Sequence, residues 1–118
     1  MSKEVMSKED LDSIEISIEQ AKKAIARKDC LVRLQMNPDY KELIEKGFLE
    51  AHAIRQVMLK AHPGLQVEAR QKELDRQIIA IGEFQQFLIG VYTQGMQAAQ
   101  ALNEDEATRE DLLKEGLD

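Results

Sequence analysis

Apolar residues recur at steps of three and four in two long stretches of this chain. Leu11, Ile14, Ile18, Ala21, Ile25 and Val32 make the first, and Leu74, Ile78, Ile81, Leu88, Tyr92, Ala99 and Leu102 the second. That spacing gathers each set on one face of an α-helix and gives no face to a strand, whose side chains alternate every second residue. Two long helices therefore organise the fold. The first is expected over residues 8–36. Ser7 followed by Asp10, just before Leu11, is close to a capping box, with the serine oxygen available to a free amide and an acid in the first turn. Asn37-Pro38-Asp39 ends that helix and begins the next, because asparagine is a strong N-cap and proline fits the first helical position but not an interior one.

A short second helix is expected over residues 38–46, with Tyr40, Leu43 and Ile44 inward and Gly47 closing it in a left-handed conformation. A third, over residues 49–61, carries Ala53 or Ile54, Val57, Met58 and Ala61 on its inner face and stops at His62-Pro63-Gly64. The fourth runs over residues 66–103, about 38 residues or about 57 Å at 1.5 Å per residue. The first helix, at about 28 residues, covers only part of that length. The rest of the fourth-helix seam is expected to meet the short helices, another subunit or another protein. The expected fold is all-α: two long antiparallel helices joined by a two-short-helix connector, a helical hairpin or bundle forming one domain over residues 1–103. Residues 104–118 are expected to be an acidic tail or a short helix that orders on a partner.

The fourth helix also holds Gly82, Gly90 and Gly95, followed by Ala98, Ala99 and Ala101. Each interior glycine costs about 1 kcal/mol relative to alanine, so three of them imply a gain from close helix–helix approach. Self-association through this half is expected, with Ile81, Phe84, Leu88, Val91, Tyr92, Gly95, Ala99 and Leu102 as the oligomer or partner interface.

Composition narrows the class. The chain has 118 residues, 32% charged and 43% apolar, with a formal charge of −6. One domain with a modest core fits that length. With no run of eighteen apolar residues and no basic-then-apolar start, a soluble protein made inside the cell is expected. The charge is uneven. Both ends are acidic, whereas Lys22, Lys23, Arg27, Lys28 and Arg33 form a basic collar late in the first helix, opposed only by Asp29. Acids near the amino end and bases toward the carboxyl end suit the helix macrodipole. The same collar is a candidate contact for an anion or an acidic partner, although bases without interleaved aromatics on an acidic chain argue against direct nucleic-acid binding. Antiparallel pairing of the long helices would concentrate acid at one pole, where a basic partner would relieve the repulsion.

Reactive constellations are not evident. His52 and His62 lie ten residues apart, and Cys30 has no cysteine partner, so no metal site is expected. Cys30, beside Leu31, reads as a small packing residue. Ser2, Ser7, Ser13 and Ser17 cluster at the acidic start of the first helix without an elbow or oxyanion loop. The glycines form neither a P-loop nor a dinucleotide fingerprint. Glu9, Asp10 and Asp12 lie in a segment expected to face water and read as a charged face rather than a paired-acid site. Phe84, Phe87 and Tyr92 at helical spacing read as core or subunit contact rather than a base-stacking platform. The expectation is a non-enzymatic protein without cofactor or metal.

From Arg33 onward the chain reads Arg33-Leu34, Asn37-Pro38-Asp39-Tyr40, Leu43-Ile44 and Gly47-Phe48, then Ala51 to Leu59; Ile81-Gly82-Glu83-Phe84, Phe87-Leu88 and Glu106-Ala107-Thr108-Arg109-Glu110 follow. This run resembles a group of small acidic all-helical proteins of tailed bacteriophages, over about residues 30–113. The shared positions are caps, turns and core residues. Such proteins are often encoded among head and packaging genes, so the resemblance implies a virion-associated or assembly role. A structural or assembly protein would make helix-mediated contacts with capsid, portal or tail proteins, and would be made in the host cytoplasm and located in the virion. Two alternatives are a phage-encoded regulator that binds and inhibits a host protein through its acidic face, and an oligomer that holds a small anionic ligand on the basic collar.

Overall fold

A computed structural model describes residues 3–117, with side chains described over residues 8–116. The expected all-α class holds, and no strand occurs among the described residues. The helix α1 spans Lys3–Gln35 and α2 is a single turn, Pro38–Tyr40. A π-helical segment, Lys41–His52, leads into α3, Ala53–Leu59. A 3₁₀ turn, Pro63–Leu65, precedes α4, which runs from Glu68 to Leu117. No helix among the described residues is long and apolar enough to cross a membrane. The chain divides into two compact units: a terminal unit of residues 1–30 with 91–118, and a connector unit of residues 31–90.

The local punctuation is where the sequence places it. The Asn37 side chain accepts from the Asp39 amide at 2.8 Å and the Tyr40 amide at 3.3 Å, with Pro38 at the first helical position. At the other break, His62 Nδ1 accepts from the Gly64 amide at 3.0 Å and caps the 3₁₀ turn. Three boundaries differ from expectation. Helix α1 begins at Lys3, so the backbone is already helical at Ser7, whose side chain lies outside the described residues. The acidic tail is the last part of α4, since residues 104–115 contain neither proline nor glycine to stop it. Gly47 does not end a helix: no glycine has a positive φ among the described residues, and Gly47 lies inside the π segment. A Cβ there would come within 3.1 Å of the Glu42 carbonyl oxygen, so glycine serves close backbone approach rather than a left-handed cap.

In the terminal unit α1 and α4 pair antiparallel. Glu15 meets Arg109 at 3.6 Å, Ser17 Oγ donates to Asp105 Oδ2 at 2.6 Å, and Lys28 lies against Gly95. Rising along α1 thus descends along α4. The covered positions are Leu11, Ile14, Ser17, Ile18, Ala21, Ala24, Ile25 and Lys28 on one helix, and Val91, Gly95, Ala98, Ala99, Leu102, Asp105, Glu106, Arg109 and Leu112 on the other. They recur at steps of one, three and four, which is the broad face of a helix packed in a globular unit and wider than a two-position coiled-coil stripe. On that face Val91 is buried, while its neighbour Tyr92 is left 46% exposed.

In the connector unit Leu31, Tyr40, Leu74 and Ile81 are buried, together with the polar Gln56. Val32, expected in the seam, is exposed, and Cys30, expected to pack, is exposed too. They neighbour the buried Leu31, and residues one step apart on a helix do not share a face. The largest departure concerns the short helices. Winding with i→i+5 bonds widens each turn, so Tyr40, Ile44, Leu49, Ala53 and Gln56 follow one another on the covered side at steps of three to five. Leu43 is turned out, and α3 is rotated so that Ile54, Val57 and Met58 are 57%, 52% and 68% exposed.

Candidate functional site

The residues expected to form an interface on α4 divide between the two units. In the connector unit Ile81 is buried, Leu88 is partly covered, and Phe84 sits edge-on to Phe48 with ring centroids 6.0 Å apart. In the terminal unit Val91 and Gly95 are buried, Ala99 and Leu102 are partly covered, and Tyr92 is largely exposed. Gly95 is the glycine that admits a neighbour, because a Cβ on it would overlap the Lys28 Cβ and crowd its Cγ and Cδ. That close approach is within the chain. Gly82 and Gly90 face open space, with nothing within 4 Å of an added Cβ.

The basic collar does not converge. At about 100° per residue, Lys22, Lys23, Arg27 and Lys28 point in directions spread around the α1 axis rather than to one side. Lys23 pairs loosely with Glu19 at 3.9 Å, and Lys28, largely covered by its contact with Gly95, meets Asp29 at 3.3 Å. Arg33 is exposed in the connector unit. Lys22 does line a shallow depression with Glu15, Ile16, Ile18, Glu19 and Arg109. A second depression is formed by Asn103, Glu106, Ala107, Arg109, Glu110 and Leu113. Each carries two carboxylates, which oppose the capture of an anion.

Both histidines have local partners. His52 stacks on Phe48 at 5.6 Å, and its Nε2 lies 3.3 Å from Gln56 Nε2, while His62 caps the 3₁₀ turn. Among the described residues no three His, Cys, Asp or Glu side chains are placed to hold a metal ion. Two titrating groups are displaced. Burial, with the Glu45 charge adding to it, pushes the Tyr40 phenol above its ordinary value of 10.0. Its hydroxyl is buried without a hydrogen-bond partner. On the surface of α4, hydrogen bonds from Arg76 and Gln77 hold the Glu73 carboxyl below its ordinary value of 4.5.

What the arrangement offers chemically is apolar helix surface. In the connector unit Ile54, Val57 and Met58 lie in the open on α3, and Ile79, Phe87 and Ile89 on α4. An α-helical period places the α3 residues inside, and only the π segment moves them out. Two glutamines, equally unforeseen, hold the turn before α4. Gln71 Nε2 donates to the Lys60 and Leu65 carbonyls, and Gln66 Nε2 to those of Lys60 and His62, at 2.8–3.0 Å. Lys60 in turn reaches Asp75 at 2.5 Å. These contacts fix where α3 ends relative to α4 within the unit. Nothing in the residue spacing distinguishes these two glutamines from solvent-exposed ones. Set against family models, curated proteins and solved structures, the chain matches none.

Proposed function

We propose that this protein is a non-enzymatic assembly protein that works by burying helix faces on other proteins. The observation that carries the reading is the outward placement of Ile54, Val57, Met58, Ile79, Phe87 and Ile89. On α3 Ile54, Val57 and Met58 share one face, and exposed apolar side chains gathered on one helix face mark surfaces that other proteins cover. The charge distribution supports a division of labour. The terminal unit carries fourteen acidic against eight basic side chains, and the connector unit eight of each. An acidic unit steers a basic partner into place, and an apolar neutral surface supplies the contact. The setting, a tailed bacteriophage particle with capsid, portal or tail proteins as partners, rests on the sequence resemblance.

The test is quantitative mass spectrometry of purified phage particles before and after a high-salt wash. Retention at a fixed copy number per particle is the expected result, because apolar contacts survive salt that screens surface charge. Absence from particles together with co-purification of a host protein would replace this reading with that of a host-directed regulator.

A further inference from the structure

We infer that residues 41–52 are a winding switch. The same segment has a second, α-helical winding that turns α3 about its axis, draws Ile54 and Met58 under the cover of the connector unit and brings Gln56 to the surface. The inference rests on the assembly reading only in giving the outward face a use, since it names what presents and withdraws that surface.

Two covered faces are written into the continuous helical stretch from Pro38 to Leu59. At about 100° per residue, Tyr40, Ile44, Gly47, Ala51, Ile54 and Met58 fall within about 40° of one line, at steps of four, three, four, three and four. Gln56 then lies about 160° from Tyr40, on the far side. The wide winding selects a different set to follow Tyr40 on the covered side, Ile44, Leu49, Ala53 and Gln56, and leaves Ile54 and Met58 57% and 68% exposed. The α-helical set contains no amide, and an amide is the less favourable group to bury.

Winding with i→i+5 bonds is rare and occurs mostly as single turns at functional sites, so a run of residues 41–52 needs support from its surroundings. That support is polar and lies at the ends of side chains. Gln56 is bonded to His52, Lys60 reaches Asp75, and Gln66 and Gln71 hold the Lys60 carbonyl. Lys60 follows Gln56 by four residues and shares its side of the helix, so α-helical winding of residues 41–52 swings it away from Asp75. Releasing a half-exposed pair of this kind costs little and opens no core. The Asn37 cap lies upstream of the segment and serves both windings. A protein that binds Ile54, Val57 and Met58 binds the wide winding and shifts the population toward it.

The experiment is maleimide labelling of the purified full chain in a Cys30→Ala background, with one reporter thiol introduced as Met58→Cys or Ala53→Cys. In the wide winding Met58 is exposed and Ala53 half-covered; α-helical winding covers residue 58 and turns residue 53 about 140° away from Tyr40. Met58→Cys is therefore expected to label faster than Ala53→Cys. Adding Gly47→Ala favours the α-helical winding, because alanine is the better α-helix former and its Cβ crowds the Glu42 carbonyl oxygen, five residues back, at 3.1 Å in the wide one. The Ala53→Cys rate should then rise about fivefold or more while the Met58→Cys rate falls. Asp75→Ala, which removes the charge pair without touching the segment, should move the two rates in the same opposite directions. Rates that rise together, or that move reciprocally in neither variant, overturn the inference, as does an Ala53→Cys reporter that labels faster than Met58→Cys before either variant is added. Labelling reads the winding of purified protein, so retention in particles is decided separately.

Discussion

Gly95 of α4 lies against Lys28 of α1, so close that a Cβ on residue 95 would overlap the lysine's own Cβ. The obstruction is the root of the lysine side chain, which cannot swing aside as its ammonium end can. Alanine at this position gains about 1 kcal/mol of helix propensity but forces the helices apart, at a cost of about 1–3 kcal/mol for overpacking. Gly95→Ala is therefore expected to lower stability, read as a drop in the urea midpoint. Lys28→Gly in the same chain should restore part of the loss. At Gly82 and Gly90, where an added Cβ meets nothing within 4 Å, alanine should instead raise stability by about 1 kcal/mol each.

The phase of the π segment makes a second prediction. Leu43 is 69% exposed although an α-helical period places it inside, so Leu43→Glu should change stability by no more than about 0.5 kcal/mol. Leu74 is 6% exposed, and Leu74→Ala should cost about 2–5 kcal/mol through lost transfer energy and the cavity left behind. Equal destabilisation by both variants in chemical denaturation would mean that residues 41–52 wind as an ordinary α-helix.

These two cases mark what the residues disclose by themselves. The two long helices and the breaks at Asn37-Pro38 and His62-Pro63 are legible because their signals are local: periodicity, a capping side chain, a missing amide. The side on which a helix is covered is less local. On α4 Val91 is covered and its neighbour Tyr92 is not, and on α3 one wide-wound segment upstream turns a whole apolar face outward. The candidate interface was legible as residues that need covering but not as a surface, because Gly95, Ala99 and Leu102 belong to the seam with α1 while Ile54, Val57 and Met58 are free. The collar of Lys22, Lys23, Arg27 and Lys28 is close in sequence yet spread around the helix axis, which is why a cluster of bases does not become a site.

Salt should stabilise this protein. The whole net charge of −6 falls in the terminal unit, where antiparallel pairing brings the acidic start of α1 beside the acidic end of α4. The Glu15–Arg109 pair at 3.6 Å offsets part of that repulsion. Raising ionic strength from about 0.01 M to about 0.15 M shortens the Debye length from about 30 Å to about 8 Å, screening the repulsion more than it weakens one partly covered pair. The melting temperature is expected to rise over that range, and to rise more steeply in Arg109→Gln, which removes the offsetting charge. A melting temperature that falls with salt in the wild type would mean that attractive pairs dominate.

Tyr40 is buried with its hydroxyl unpaired, and replacing it separates two effects. Phenylalanine keeps the ring and removes the oxygen, so Tyr40→Phe should be neutral or stabilising by about 1 kcal/mol, since a buried hydroxyl without a partner carries a desolvation cost of about 1–3 kcal/mol. The pH dependence has a definite sign. Burial first, and the Glu45 charge second, raise the phenol above its ordinary value of 10.0 in the folded chain. Below that ordinary value both states are protonated and the favourable difference is fully present. As pH climbs past it, the unfolded chain loses the proton first and is stabilised by doing so, and stability falls until the raised folded value is passed. Urea unfolding of the wild type should therefore show a midpoint that declines from about pH 10 upward. In Tyr40→Phe that part of the decline should disappear, so the midpoint difference between variant and wild type widens with alkaline pH. A difference that stays constant across the range would mean that the Tyr40 hydroxyl reaches water or a hydrogen-bond acceptor in solution.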